Sequence, residues 1–185
     1  VTEFADRLLG PDAPPLLRSV VDYWNAKRGT RRMPTFEDID ATEIPAALSS
    51  LYILEVTAAG EYTYRLAGTK VEEPYGRPLK GLSISDLFPP ASAKIIQGRW
   101  NRVAHEPAAC FTDTEHPSSR ETFISAKRVV LPLGPDDGPA DHVMGAAVFY
   151  RMKVEETPEI NGAIIREVRW VALDGSELVS QGAAD

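Results

Sequence analysis

The chain has 185 residues, 43% of them apolar and 25% charged, a globular balance long enough for one domain with its own core. A formal charge of −7 and a pI near 5.1 argue against a nucleic-acid binder, whose phosphate contacts want a basic face. No apolar run approaches the roughly 18 residues of a membrane span, and the lone Cys110 excludes an internal disulfide, so with no signal peptide in view a cytoplasmic protein is expected.

Residues 1–13 read as a loose lead-in, because Gly10-Pro11-Asp12 interrupts any early helix. Pro14-Pro15 suits a helix start, where the missing N–H costs nothing. Leu17, Val20, Val21 and Trp24 follow at i, i+3, i+4 and i+7, so an amphipathic helix is predicted over about 15–28, closed by Gly29. Residues 30–48 form a connecting segment with short helical turns, where Thr35 and Asp38 make a variant capping box. The chain begins at Val1 rather than Met, which leaves open whether residues precede it.

Leu51–Thr69, LYILEVTAAGEYTYRLAGT, is the clearest hairpin. Tyr52, Leu54 and Val56 alternate with Leu51, Ile53 and Glu55; after a Gly60-bearing turn, Tyr62, Tyr64 and Leu66 alternate with Thr63, Arg65 and Ala67. Pro74, Gly76, Pro78 and Gly81 then forbid a long helix, and short ones at 69–75 and 83–87 fit. Pro89-Pro90 opens a second full helix, 90–105, with Ile95, Ile96, Trp100, Val103 and Ala104 on one side.

The last third is strand-like: Ala109–Thr114, a turn at His116-Pro117-Ser118-Ser119, Glu121–Leu133, and His142–Tyr150 with small residues in its middle. Pro132 suggests a strand end or an edge. Ile165–Leu173 alternates again and reads as an extra strand, docked on the domain or exchanged with a partner. The expected division is residues 1–48 as N-terminal helix and connecting segment, 49–151 as the core, and 152–185 as a C-terminal extension. Two hairpins joined by a helical crossover give an α+β fold, a five-stranded antiparallel sheet with helices on one face plus the N-terminal amphipathic helix.

Asp22-Tyr23-Trp24, Arg32-Met33-Pro34, Phe36, Asp38, Ile44-Pro45, Tyr64-Arg65-Leu66-Ala67-Gly68-Thr69, Gly76-Arg77-Pro78-Leu79-Lys80-Gly81 and Leu131-Pro132-Leu133 occur in order. Together they resemble a group of bacterial PAS-domain proteins with an N-terminal helix, once filed as a domain of unknown function. The resemblance covers about residues 16–150. It implies a stand-alone sensory or regulatory module of signal transduction, a signalling protein partner and a homodimer, and it transfers no ligand or catalytic set.

PAS domains hold ligands between the sheet and the helical middle. In this chain that space would be walled by Tyr62–Ala67, the helix around Ile96–Val103, and parts of Phe123–Val130 and Val143–Phe149, with Tyr64, Trp100, Cys110 and Met144 as lining for a small molecule. The stripe Leu17, Val20, Val21 and Trp24 is expected to pack on the sheet or against a second copy. Arg65 reads as a clamp on the carboxylate of Asp22 or Asp40, and the Arg28, Arg31, Arg32 and Lys127, Arg128 groups as solvated charges.

No cofactor follows from these residues. His105 is placed to meet the dipole at a helix C-terminus rather than to bind haem. A Cys110–His116 nucleophile pair is separated along an extended strand by about 20 Å. Metal-pair spacings, phosphate-binding loops and hydrolase motifs are absent from the sequence. A binding module, not an enzyme, is therefore expected. The alternatives are a small cone-type isomerase or dehydratase, which needs an Asp or His inside the cavity, and a ligand-free scaffold.

Overall fold

The apolar stripe at Leu17, Val20, Val21 and Trp24 decides where the first long helix goes. In the computed structural model, which describes residues 2–106, 108–119, 122–153 and 164–173, all four side chains are fully buried. Each contributes about 1.5–3 kcal/mol of burial. They belong to helix α2 (Pro15–Arg28), which has proline at its first turn and ends at Gly29, φ 57°. A helix α1 (Thr2–Leu9) precedes it where a loose lead-in was expected. Gly10 ends α1 rather than preventing it, and Ala5, Leu8 and Leu9 join the core.

The hairpin forms as strands β1 (Leu51–Val56) and β2 (Tyr62–Ala67), with Gly60 at φ 76° in the turn. Short helices α3 (Thr69–Glu72) and α4 (Ile84–Leu87) lead to helix α5 (Pro90–His105). Strands β3 (Ala108–Ser119), β4 (Thr122–Leu133), β5 (His142–Lys153) and β6 (Ile164–Ala172) follow. The sheet is antiparallel with order β2-β1-β5-β4-β3-β6. It is thus the expected five strands plus a sixth, which pairs with β3 of its own chain. Arg102 on α5 stacks its cation over the Trp170 ring of β6 at 4.5 Å and ties that strand to the helical layer.

Two expectations about this sheet change. β3 continues through His116–Ser119, where a turn was expected, because His116, Pro117 and Ser119 stay paired with β4 across a register shift at Ser118. In the first hairpin a bulge at Arg65 breaks the simple alternation: Leu54 pairs with Tyr64 but Ile53 with Leu66. The extra residue sends Leu66 out of the Tyr62–Tyr64 face, and it is exposed.

Helices cover both faces of the sheet. On one, Trp100 of α5 stacks on Tyr52 of β1. On the other, α1 and α2 pack together through stacked Phe4 and Trp24, and Arg169 of β6 lies between the Phe111 ring of β3 and Gly10 at the end of α1. The indole N–H of Trp24 donates to the carbonyl of Pro132 at 2.9 Å. Pro132 sits beyond the last β3 partner of β4, where its missing N–H leaves no ladder bond unmade.

Candidate functional site

Strand register fixes which side chains look toward α5. Tyr52 pairs with Gly145, Gly145 with Val130, Val130 with Cys110, and Cys110 with Trp170. One row further, Ala147 pairs with Arg128 and Arg128 with Thr112. Partners across an antiparallel pair share a face, so these residues form the floor beneath α5. The small Ala147 of β5 leaves that floor low, and a cavity of about 580 Å³ stands between it and the helices. Tyr75, Phe88, Ile96, Arg99 and Trp100 wall it, while Ala91, Ser92 and Ile95 at its rim are exposed.

Tyr64, Trp100 and Cys110 line this cavity as the sequence suggested. Met144 does not. It is buried one residue before Gly145, on the opposite face with Ile53 and Leu131, because neighbouring strand residues point to opposite sides. The stripe of α2 fills the core under the far face of the sheet within one chain, so it is closed to a second copy.

The polar inventory of the cavity is lopsided. Arg128 on the floor donates to Thr114 Oγ1 at 2.7 Å and lies over the Phe149 ring at 5.4 Å. Arg99 comes down from α5, and burial lowers its pKa, as does the charge of Arg128. Both keep their charge at neutral pH. Among the described residues the lining contains no Asp, Glu or His. Burial pushes the Cys110 thiol up to about 12 and raises the phenols of Tyr52, Tyr64 and Tyr75, so all four are neutral at pH 7.

The two arginines escaped the sequence reading, which placed Arg128 with Lys127 among solvated charges. Its position between inward Ala126 and Val130 on one strand was the available signal. Arg65 keeps the role of a clamp but with a different partner. It is exposed and pairs with Glu55 across the hairpin at 3.1 Å, whereas Asp40 caps its own turn at Thr42. His105 is exposed at the end of α5, its Nδ1 3.0 Å from the Asn101 carbonyl oxygen, and it does not line the cavity. Cys110 and His116 lie on the same uninterrupted strand, and the side chain of His116 is outside the described residues.

Among the described residues there is no group of three or more His, Cys, Asp or Glu able to hold a metal ion, and no helix is long and apolar enough to cross a membrane. No curated protein and no solved structure matches the chain. The PAS domain family model matches residues 13–148, which run from the start of α2 into β5 and take in most of the cavity floor and the helices above it. With that match over most of its length, and a sheet order that places the first hairpin beside the last strand of the family region, the chain belongs to the PAS domain family.

Proposed function

We propose that this PAS domain is a signal-transduction module that binds a small molecule in the cavity beneath α5 and does not transform it. The observation that carries the reading is the cavity itself. Its volume of about 580 Å³ lies within the usual range for small-molecule pockets, and its walls combine aromatic rings with a few polar groups. Support for binding without conversion comes from the lining: among the described residues it offers no carboxylate or imidazole, and its ionisable thiol and phenols are held away from neutral pKa values. A cone-type isomerase or dehydratase would need such a group.

The test is native mass spectrometry of the protein as purified, compared with its denatured mass. A non-covalent adduct that disappears on denaturation is expected. A clean mass together with no response to any added small molecule would leave only the scaffold reading.

A further inference from the structure

We propose that the cavity is built for an amphipathic organic anion, with a carboxylate or phosphate head held between Arg99 and Arg128 and an aromatic or aliphatic body against Tyr52, Trp100, Ile96 and Phe149. The inference rests on the binding reading above and adds the ligand's chemical class.

The argument starts from charge balance. A buried cation is costly unless a counter-charge or a set of acceptors meets it. Arg99 and Arg128 both line the same cavity, and among the described residues neither makes an ion pair. Arg128 spends one donor on Thr114 and Arg99 has no hydrogen bond among the described residues, so most of their donors are free for a ligand. Elsewhere partly buried arginines meet acids or carbonyls: Arg31 pairs with Asp38, Arg102 with Glu106 and Arg169 with Glu167, while Arg28 and Arg32 donate to backbone carbonyls. Among the described residues, the cavity brings two cations together with no acid in its lining.

A guanidinium fork matches the two oxygens of a carboxylate or phosphate. The rest of the lining sets the body of the ligand. Rings of Tyr52, Tyr64, Tyr75, Phe88, Trp100 and Phe149 surround the space, and they favour a flat or hydrocarbon group over a polyol. Thr112, the partner of Arg128 across the β3–β4 ladder, and Ser92 at the rim supply hydroxyls for one further oxygen or amide.

The experiment titrates the intact chain by calorimetry with anions, each paired with a neutral counterpart: 1-naphthylacetate with 1-naphthylacetamide, octanoate with octanamide, and phenyl phosphate with phenol. At least one anion is expected to bind saturably and at least tenfold more tightly than its neutral partner; whether a carboxylate or the phosphate leads identifies the head. Arg99→Gln, which removes no hydrogen bond among the described residues, should cut that preference at least tenfold while leaving the melting temperature and the affinity for the neutral partner unchanged. Arg128→Lys, which keeps the charge but loses the fork, should retain part of it. Equal binding of anion and neutral partner to the wild-type protein would overturn the anionic assignment and leave the pocket standing. Binding by none of the six, with no adduct on the purified protein, would overturn both.

Discussion

The hydroxyl end of the Tyr52 ring lies against the backbone of Gly145, its direct partner across the β1–β5 ladder. A Cβ placed on Gly145 would fall inside that ring, against Cζ, Cε2 and the hydroxyl oxygen. The ring is trapped from above by Trp100, with centroids 6.3 Å apart, and its hydroxyl reaches the Val129 carbonyl at 3.4 Å. Gly145→Ala should therefore destabilise the fold by about 1–3 kcal/mol, the usual cost of overpacking a filled site. Urea denaturation measures it. On a Tyr52→Ala background the same substitution should cost almost nothing, because the obstacle is gone. A full cost on both backgrounds would mean that something other than the ring forbids a side chain there.

Trp24 offers a test of where the α2 stripe is buried. Its indole N–H donates to a buried carbonyl on β4, 108 residues away in sequence. Trp24→Phe keeps most of the apolar volume but leaves the Pro132 carbonyl unpaired, at a cost of about 1–3 kcal/mol. The loss should appear in urea melts with the sedimentation coefficient of the native protein unchanged, since the stripe faces its own sheet. A stripe that joined two copies would instead make stability depend on protein concentration.

Local patterns in the sequence carried the elements with periodic burial. The stripe of α2, the helix after Pro89-Pro90 and the first hairpin are all visible because one face of each meets the core. What was not visible depends on register, which only tertiary pairing sets. The Arg65 bulge turned Leu66 outward, and a shift of one residue put Met144 on the face opposite Cys110 although both sit in apolar runs. Arg128 reads as a surface charge beside Lys127 until Ala147 and Thr112 are found opposite it. The α1 helix is hidden in the sequence because Gly10, which ends it, reads there as a breaker. The pocket-lining role of Tyr64 and Trp100 came through, because the resemblance located the cavity, but the chemistry inside it did not.

High pH should weaken the fold through its buried thiol and phenols. Burial raises Cys110 from 9.0 to about 12 and Tyr62 from 10.0 to about 12. Below pH 9 these groups are protonated in both folded and unfolded chains, and nothing changes. Above it the unfolded chain gives up protons that the folded chain keeps, so stability falls as pH rises from 9 toward 12. Each such group contributes up to about 1.4 kcal/mol per pH unit inside that window. Cys110→Ala should reduce the stability lost between pH 8 and pH 10 by about 1 kcal/mol, read from urea midpoints at the two values. An unchanged loss would place the thiol in a wetter setting than its burial indicates.

Ala146 and Ala147, adjacent on β5, separate a cavity from a filled core. Both are almost completely buried, but only Ala147 lines the cavity; Ala146 points to the other face, among the residues covered by α1 and α2. Three added methyl-sized groups at Ala146 have nowhere to go, and Ala146→Leu should cost about 1–3 kcal/mol or more. The same change at Ala147 enters about 580 Å³ of open space. Leucine there loses nothing to overpacking and gains contact with Tyr52 and Phe149, so Ala147→Leu should fall within about 1 kcal/mol of wild type and serves as a filled-pocket variant for binding work. Thermal melts of the two variants give the comparison directly. Equal, large losses at both positions would mean that the space above Ala147 closes in solution, and the scaffold reading would then replace the sensor.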